Sequence, residues 1–356
     1  MRTCSSLNSK AFGGGVFDLS LTGFDDAEIS QLLDENAQVT EDGFDVEAEL
    51  EQPTISQMGD IWILGRHRLM CGDSTVQEQF DKLMDGAQAD LVVTDPPYNV
   101  NYGEKAEMLE KYLGKGHRNT SKIANDNMDN ASFTLFMSKV YQTAFNIMRP
   151  GAAIYVFHAE NTGHIFRQEL LNAGLKLAQC LIWEKNSFVK GRQDYQWKHE
   201  PCLYGWKEGA AHYFLDDRCQ DTILKVDDVD IEAMKKAELV EYVKELRTQL
   251  NERTSILYED KPTTNDLHPT MKPVKLVGRL ITNSSKRKWN VVDLFGGSGT
   301  TLIASEQLER NAFLMEYEPK YCDVMAKRYI ELVGKDDEVF LERDGVRIPY
   351  KEVCKL

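Results

Sequence analysis

Asn290-Val-Val-Asp-Leu-Phe-Gly-Gly-Ser-Gly-Thr-Thr301 is the stretch of sequence that decides the fold. Its apolar start predicts a buried strand, and the residues that follow, up to Leu308, predict a helix. Glycines between a strand and a helix let the backbone approach a ligand, and the first helical turn offers unpaired amides. Ala312-Phe-Leu-Met-Glu316 predicts the next strand, and its terminal carboxylate suits ribose hydroxyls. The stretch therefore predicts an α/β fold with a nucleoside-containing cofactor on the glycine loop.

The glycine loop differs from the usual dinucleotide-binding motif. After Gly297 and Gly299, position 302 is leucine, so the G-x-G-x-x-G pattern is not completed. Asp293, ahead of the loop, is a poor neighbour for a pyrophosphate and a better one for a cationic cofactor, because unlike charges attract. S-adenosylmethionine, which is a sulfonium, is such a cofactor. On the loop alone, a nicotinamide dinucleotide stays open as the alternative.

Strand and helix patterns alternate on both sides of this loop. Ala89–Thr94 and Ala152–Phe157 are apolar runs that predict buried strands, and Pro319–Leu332 has helical spacing. Such alternation predicts a doubly wound, mostly parallel α/β sheet. The last residues, 336–356, predict a hairpin around Asp344-Gly345.

The tetrapeptide Asp95-Pro96-Pro97-Tyr98 follows one of the predicted strands. The prolines fix φ and remove backbone donors, so carbonyl groups at this turn stay free to accept hydrogen bonds. Asp95 adds a carboxylate acceptor, and Tyr98 adds a flat ring that can stack on a base. Two acceptors beside a stacking face suit an exocyclic amine on an aromatic ring. Hydrogen bonds from both N–H groups would localise the amine lone pair and allow direct attack on a cationic methyl donor.

Composition and charge narrow the class of protein. The 356 residues are 42% hydrophobic, and the apolar runs are too short for a membrane helix. The net charge is −15, but residues 1–60 hold 13 acidic and 2 basic residues, a balance of −11, which leaves −4 for the rest. The acidity therefore does not argue against a nucleic-acid partner. Seven dispersed cysteines indicate reduced thiols, so we expect a cytoplasmic protein.

Taken together, these motifs resemble the amino DNA methyltransferases, which methylate adenine N6 or cytosine N4 with S-adenosylmethionine. Asp-Pro-Pro-Tyr comes before the glycine loop, an order that resembles the circularly permuted β class of this family. Further segments within residues 59–333 agree with the resemblance, namely Gly72-Asp73-Ser74, Trp183-Glu-Lys185, His199-Glu-Pro-Cys-Leu-Tyr-Gly205 and His268-Pro-Thr-Met-Lys272-Pro273.

The resemblance implies a set of site residues. The implied catalytic residues are Asp95, Pro96, Pro97 and Tyr98. The implied cofactor-binding residues are Asp73, His268, Thr270, Lys272, Asp293, Phe295, Gly297, Ser298, Gly299, Thr300 and Glu316. No metal is expected, because an amine that attacks a sulfonium directly needs no Lewis acid.

The resemblance also divides the chain. Residues 59–206 are expected to form the catalytic half, 207–266 the target-recognition segment, 267–335 the cofactor-binding half, and 336–356 the terminal hairpin. Residues 1–58 are expected to be a poorly ordered acidic arm. Residues 16–58 resemble the trailing linker of phage and prophage methyltransferases fused to a ParB-like module, and the module itself is expected to be lacking here.

Double-stranded DNA is the expected partner, and a homodimer is possible. The target base must leave the duplex stack to reach Tyr98, and basic residues must hold the phosphates. Two basic runs are candidates for phosphate contact, with Lys185, Lys190, Arg192 and Lys198 in one and Lys286, Arg287 and Lys288 in the other.

The adenine reaction is the favoured one. Adenine enzymes usually have Asp at the first position of the tetrapeptide, whereas many cytosine-N4 enzymes have Ser, so Asp95 favours adenine N6. Cytosine-N4 methylation, RNA methylation and a non-catalytic DNA-binding remnant of a prophage enzyme are the alternatives. A role in restriction-modification, in protection of phage DNA or in gene regulation stays open.

Overall fold

The computed structural model describes residues 39–101, 126–189, 194–215, 220, 222–224 and 271–353. Residues 38–356 form one compact unit. The strands are β1 Ile61–Leu64, β2 His67–Cys71, β3 Ala89–Thr94, β4 Met148–Phe157, β5 Leu175–Val189, β6 Trp197–Lys207, β7 Ile223–Leu224, β8 Asn290–Asp293, β9 Asn311–Glu316, β10 Val339–Arg343 and β11 Val346–Pro349. The helices are α1 Val46–Leu50, α2 Gln77–Met84, α3 Asn130–Ile147, α4 Gly163–Asn172, α5 Val274–Ser284, α6 Thr300–Gln307, α7 Pro319–Val333 and α8 Tyr350–Val353.

The described strands join into one sheet, in the order β11-β10-β1-β2-β9-β8-β3-β4-β6-β5-β7. The central strands β2, β9, β8, β3 and β4 are parallel to one another. Antiparallel strands extend this centre on both sides: β1 and the β10–β11 hairpin on one, β6 and β5 on the other. The predicted α/β sheet is confirmed. The predicted terminal hairpin is present as an extension of this sheet, since β10 pairs with β1.

Alternating side chains of the central strands enter two separate cores. Met70 of β2 and Phe313 of β9 pack with α2, α3 and α4. Leu69 and Leu314, their neighbours in sequence, pack with α6 and α7. Side chains of successive strand residues point to opposite faces, so helices cover both faces of the sheet, as a doubly wound fold requires. Among the described residues, no helix is long and apolar enough to cross a membrane.

The carboxyl ends of the parallel strands meet at one edge of the sheet. The turns that follow β2, β9, β8 and β3 therefore lie side by side in that order. This edge, which we call the site edge, is where open α/β sheets bind their ligands. It brings together Asp73, Glu316, the glycine loop and Asp95, which are far apart in the sequence.

The structure corrects the expectation of a poorly ordered arm over its second part, residues 39–58. Phe44 and Val46 are buried against Val324 of α7. Asp45 caps α1 by accepting a hydrogen bond from the amide of Ala48 at 3.0 Å. The acidic composition was misleading, because several of these carboxylates accept hydrogen bonds from the sheet-and-helix body instead of facing water.

A buried carboxylate of α7 ties this segment down, and its removal should cost stability. Asp323 accepts hydrogen bonds from the amides of Ile55 at 2.7 Å and Ser56 at 3.0 Å and from the Ser56 hydroxyl at 2.5 Å. Asp323→Ala would leave these donors buried and unpaired, so we expect a loss of about 2–4 kcal/mol in the free energy of unfolding. Urea denaturation measures the loss. Asp337→Ala, at an exposed position, should stay within about 0.5 kcal/mol of wild type, and equal losses in the two variants would contradict the expectation.

Candidate active site

Asp95 is an anchored hydrogen-bond acceptor at the end of β3. Its Oδ1 accepts a hydrogen bond from the Tyr98 hydroxyl at 2.5 Å, and its Oδ2 accepts one from Nζ of Lys272 at 2.5 Å. Burial and the nearby carboxylates of Asp95 and Glu200 raise the pKa of Tyr98 well above its usual value. Tyr98 therefore stays protonated, and its hydroxyl donates a hydrogen bond to Asp95. The Asp95 side chain is 31% exposed and can still receive a further donor.

Lys272 is a buried cation between two carboxylates. Its Nζ lies 2.5 Å from Oδ2 of Asp95 and 3.1 Å from Oε2 of Glu200, and its side chain is 8% exposed. Burial lowers the pKa of Lys272, but Asp95 and Glu200 outweigh that effect and raise it above its usual value. The ammonium also lies 4.9 Å from the ring centre of Phe157. Lys272 therefore stays charged, and it joins the part of the chain ahead of the glycine loop to the Asp95 turn.

Glu200 is a site residue that the sequence analysis did not assign. It lies on β6, which is antiparallel to β4, so the first residues of β6 reach the site edge. Its carboxylate accepts hydrogen bonds from Lys185 and, at 3.3 Å, from the Tyr98 hydroxyl. Burial raises the pKa of Glu200, but the charges of Lys272 and Lys185 prevail and lower it to about 2. The sequence signal was a charged residue just ahead of a buried run, but only the strand direction shows which edge it faces.

The glycine loop folds tightly against α7 and β9. Gly299 has φ +89°, and a Cβ there would lie 2.7 Å from Cγ of Met325. Gly297 has φ +51°, and a Cβ there would meet nothing within 4 Å. The amide of Gly297 donates to Oε2 of Glu316 at 2.7 Å. The loop thus needs glycine at 299 for packing, while Gly297 faces open space beside a carboxylate.

Asp293 is buried beneath the glycine loop. Its Oδ1 accepts a hydrogen bond from the amide of Phe295 at 3.1 Å, and its Oδ2 accepts one from the Thr301 hydroxyl at 2.6 Å. Burial raises the pKa of Asp293 to about 7, against the opposing effect of these hydrogen bonds. A carboxyl group whose pKa lies near neutral pH favours a cationic ligand, because the positive charge would stabilise its ionised form.

Asp73 lies next to Glu316 at the site edge. The amide of Gly72 donates to the carbonyl of Glu316 at 2.8 Å, and this bond extends the pairing of β2 with β9. The Asp73 carboxylate accepts hydrogen bonds from the amide and hydroxyl of Thr75, both at 2.8 Å. Burial raises the pKa of Glu316. Asp73 and Glu316 therefore lie at neighbouring strand ends, where the sequence predicted contacts with the nucleoside part of a cofactor.

The other predicted cofactor residues are held by contacts with neighbouring parts of the fold. The hydroxyl of Thr300 donates to the carbonyl of Lys272 at 3.2 Å. Phe295 packs against Phe136 with ring centres 6.1 Å apart. The carbonyl of Ser298 accepts a hydrogen bond from Arg328 at 2.9 Å. His268 and Thr270 lie outside the described residues.

The predicted DNA-contacting residues are not brought together. Lys185 is bound to Glu200 within the site, and Lys198 pairs with Glu184 at 2.8 Å. Residues 286–288 precede β8, so they lie at the amino ends of the parallel strands, away from the site edge. Lys286, Arg287 and Lys288 therefore lie apart from the Asp95 turn, and their contact with DNA phosphates stays a prediction. The remaining predicted DNA-contact residues, Lys190 and Arg192, lie outside the described residues, as does most of the segment 207–266.

Replacing Glu200 tests the electrostatics of the site. Glu200→Gln removes the charge that Lys272 and Lys185 share, and we expect it to cost about 2 kcal/mol in the free energy of unfolding at pH 7. Because the folded-state pKa is lowered to about 2 from about 4.5, the stabilising charge is fully present above about pH 5. The cost of the substitution should then shrink as pH falls toward 2. Urea denaturation of the variant and the wild type measures the cost at pH 7 and its decrease at pH 4.

Glu184→Gln is the matched control, because it removes the ion pair with the half-exposed Lys198 on the same pair of strands. It should cost less than about 1 kcal/mol at pH 7. A Glu200→Gln cost no larger than this, or one that grew in acid, would contradict the expectation.

Comparison with known proteins finds similarity to DNA methyltransferases. The chain is 22% identical over 267 residues to the Type II methyltransferase M.HpaI of Haemophilus parainfluenzae, which is 73% of each protein. It is 39% identical to M2.MboI of Moraxella bovis over 69 residues, 19% of this chain and 25% of that one. The crystal structure of the M1.HpyAVI–SAM complex aligns with a TM-score of 0.46 and 19% identity, over 73% of this chain and 98% of that one.

Two family models match different parts of the chain. Residues 13–58 match the ParB-methyltransferase HTH domain, so the segment expected to be a linker itself resembles a helix-turn-helix domain. The likeness to ParB-type methyltransferases is thereby confirmed. Residues 89–328 match the DNA methylase model N6_N4_Mtase, and this range holds the Asp95 turn, Glu200 and the glycine loop. This match spans more than half of the chain, which therefore belongs to the N6/N4 family of DNA methylases, enzymes that use S-adenosylmethionine.

Proposed function

We propose that this DNA methyltransferase transfers its methyl group to N6 of a flipped adenine within a specific double-stranded sequence. The observation that supports this most directly is the anchored carboxylate of Asp95, which lies on the site edge beside the glycine loop. Cytosine N4 is the second candidate, since its amine also presents two N–H donors and the family includes both reactions. Asp at position 95 favours adenine.

The residues of the site edge fit S-adenosylmethionine. Asp293 and Glu316 place carboxylates on both sides of the glycine loop, which favours a cationic cofactor over one that carries a pyrophosphate. We propose that Asp73 and Glu316 hold the nucleoside and that the glycine loop, from Phe295 to Thr300, lies against the cofactor. His268 and Thr270 would bind the carboxylate of the methionine part. Lys272 would position this part of the chain, because its ammonium already contacts Asp95, Glu200 and Tyr98.

When bound, the cofactor would supply an electrophilic methyl group on a sulfonium, whose carbon–sulfur bond breaks with the electron pair left on the sulfur. Asp95 prepares the nucleophile: its carboxylate accepts one N–H of the target amine, and the carbonyl of Pro96 accepts the other. Each carboxylate oxygen has a second lone-pair direction, so Asp95 can do this while Tyr98 and Lys272 stay bound. These two hydrogen bonds localise the nitrogen lone pair and hold it toward the glycine loop.

The amine nitrogen gains a bond to carbon and then carries one hydrogen too many. Asp95 is already bound to an amine hydrogen, and we propose that it accepts this proton and passes it to water, to which it is partly exposed. Lys272 has a pKa above its usual value and Tyr98 one well above its usual value, so neither gives up its own proton. Their role is to hold the Asp95 carboxylate in place and oriented until the transfer.

Sequencing of modified bases tests both the reaction and the target. The chain is expressed in a host without DNA methylases, and plasmid DNA is read for N6-methyladenine and N4-methylcytosine. We expect N6-methyladenine within one short sequence context. N4-methylcytosine would overturn the base assignment, and methylation at nearly every adenine would overturn sequence-specific recognition.

Asp95→Ala should reduce methyl transfer by at least about a hundredfold, because the target amine loses its acceptor. Binding of S-adenosylmethionine should change little. Asp90→Ala is the matched control: it breaks the 2.6 Å pair with Arg149 at the opposite end of the same strand and should leave transfer nearly unchanged. Transfer of a tritiated methyl group measures both. Survival of activity in Asp95→Ala would refute the role of Asp95.

The pKa of Asp293 predicts how cofactor binding depends on pH. In the free protein this pKa is raised to about 7, and a cationic cofactor favours the ionised form. The affinity for S-adenosylmethionine should therefore rise as pH increases from 6 through 7 and then level off. Calorimetric titration at pH 6, 7 and 8 measures the trend. Asp293→Asn removes the titrating carboxyl group but leaves the titration of the cofactor itself unchanged. If the affinity of this variant showed the same pH trend, the trend could not be assigned to Asp293.

A further inference from the structure

Four consecutive residues near the start of the described chain, Val39, Thr40, Glu41 and Asp42, each contact an element that frames the glycine loop. We call these four residues the clasp. They lie in the segment that the sequence analysis left without a function, and they belong to the same compact unit as the site.

Asp42 binds a buried arginine that also holds the glycine loop. Its Oδ1 and Oδ2 accept hydrogen bonds from Nη2 and Nε of Arg328 at 2.7 and 2.6 Å. Nη1 of the same guanidinium donates to the carbonyl of Ser298 at 2.9 Å. The Arg328 side chain is 1% exposed, so Asp42 supplies the counter-charge that lets this cation stay beside the loop.

Glu41 caps the helix that follows Lys272. Its two carboxylate oxygens accept hydrogen bonds from the amides of Val274 and Lys275, each at 3.0 Å. The residue at the helix cap is Pro273, whose side chain makes no capping hydrogen bond, so Glu41 does this from a distant part of the chain. It fixes the start of α5 two residues from the ammonium that contacts Asp95.

Val39 and Thr40 complete the attachment. Thr40 and the side chain of Gln307, the last residue of α6, exchange two hydrogen bonds, at 2.8 and 3.0 Å. Val39 lies against Gly278 of α5, where an added Cβ would come within 2.5 Å of Cγ2 of Val39. The clasp therefore contacts α5, α6 and α7, and it can lie where it does because residue 278 has no side chain.

We propose that the clasp is a positioning element of the cofactor site, and that the affinity for S-adenosylmethionine depends on it. A segment that merely covered an apolar surface would not direct successive polar groups to the neighbours of Ser298 and Lys272. The inference rests on the proposed contact of the glycine loop with the cofactor and on the proposed positioning role of Lys272. Glu41 and Asp42 act through Lys272 and Arg328, so they are positioning residues that need not touch the cofactor.

Calorimetric titration of S-adenosylmethionine into the full-length protein tests the proposal. We expect Asp42→Asn to weaken binding about tenfold while DNA binding without cofactor stays within twofold of wild type. Asp60→Asn is the matched control, because Asp60 forms an equally buried two-point pair with Arg343, at 2.6 and 2.8 Å, on the other side of the same segment. Asp60→Asn should lower the midpoint of thermal unfolding by about as much as Asp42→Asn does. It should leave the affinity for S-adenosylmethionine within twofold of wild type.

Gly278→Ala gives a second, independent perturbation. Its new methyl group would displace Val39 without removing any charge or hydrogen bond, and alanine suits a helix better than glycine. We expect weakened cofactor binding here also. If both Asp42→Asn and Gly278→Ala bound S-adenosylmethionine as tightly as wild type, or if Asp60→Asn weakened binding as much as Asp42→Asn, the proposal would be overturned. Failure of the wild-type protein to bind the cofactor would overturn the assignment of the glycine loop first, and this inference with it.

Discussion

One ammonium group, Nζ of Lys272, lies in the interior between the carboxylates of Asp95 and Glu200, and the site depends on it. Taking charges out of water is unfavourable unless each is paired, so removing Lys272 alone would leave the carboxylates of Asp95 and Glu200 close together without the cation between them. Lys272 fixes the position of the Asp95 carboxylate, and the Tyr98 hydroxyl orients it. Lys272 also fixes the distance between the Asp95 turn and the part of the chain that leads into the glycine loop. One electrostatic contact thus joins the catalytic and the cofactor-binding halves.

The same principle extends outward from the site. Arg328 is buried beside the glycine loop and needs the counter-charge of Asp42, just as Lys272 needs Asp95 and Glu200. The acidic residues near the start of the chain are therefore not only a source of net charge. Several of them neutralise buried cations or accept hydrogen bonds from helix amides, which is why residues 39–58 pack closely in spite of their polar composition. Charge pairing, more than apolar burial, attaches this segment to the site.

Most of the fold followed from the sequence, because the central strands are continuous apolar runs between glycine and proline turns. The Asp95 turn and the glycine loop were predictable for the same reason, since each follows such a strand directly. Glu200 was not assigned, because its place at the site edge depends on β6 being antiparallel to β4, and a sequence does not reveal strand direction. The sequence did not show that Lys286, Arg287 and Lys288 lie at the amino ends of the parallel strands, because a run of basic residues has the same appearance at either end of a strand. The packing of residues 39–58 depends on partners about 230–290 positions away, which local patterns do not encode.

Leu91 of β3 pairs with Val291 of β8, so two neighbouring strands at the centre of the sheet are 200 positions apart in the chain. The entropic cost of closing a long loop grows only with the logarithm of its length, about 0.6 kcal/mol for each doubling. The chain between these strands can therefore gain, lose or exchange residues at little expense to the sheet, provided that β4, β5 and β6 are kept. We expect residues 207–266, within that interval, to recognise the target, so new sequence inserted there would change the DNA sequence recognised while the residues of the site edge stay as they are.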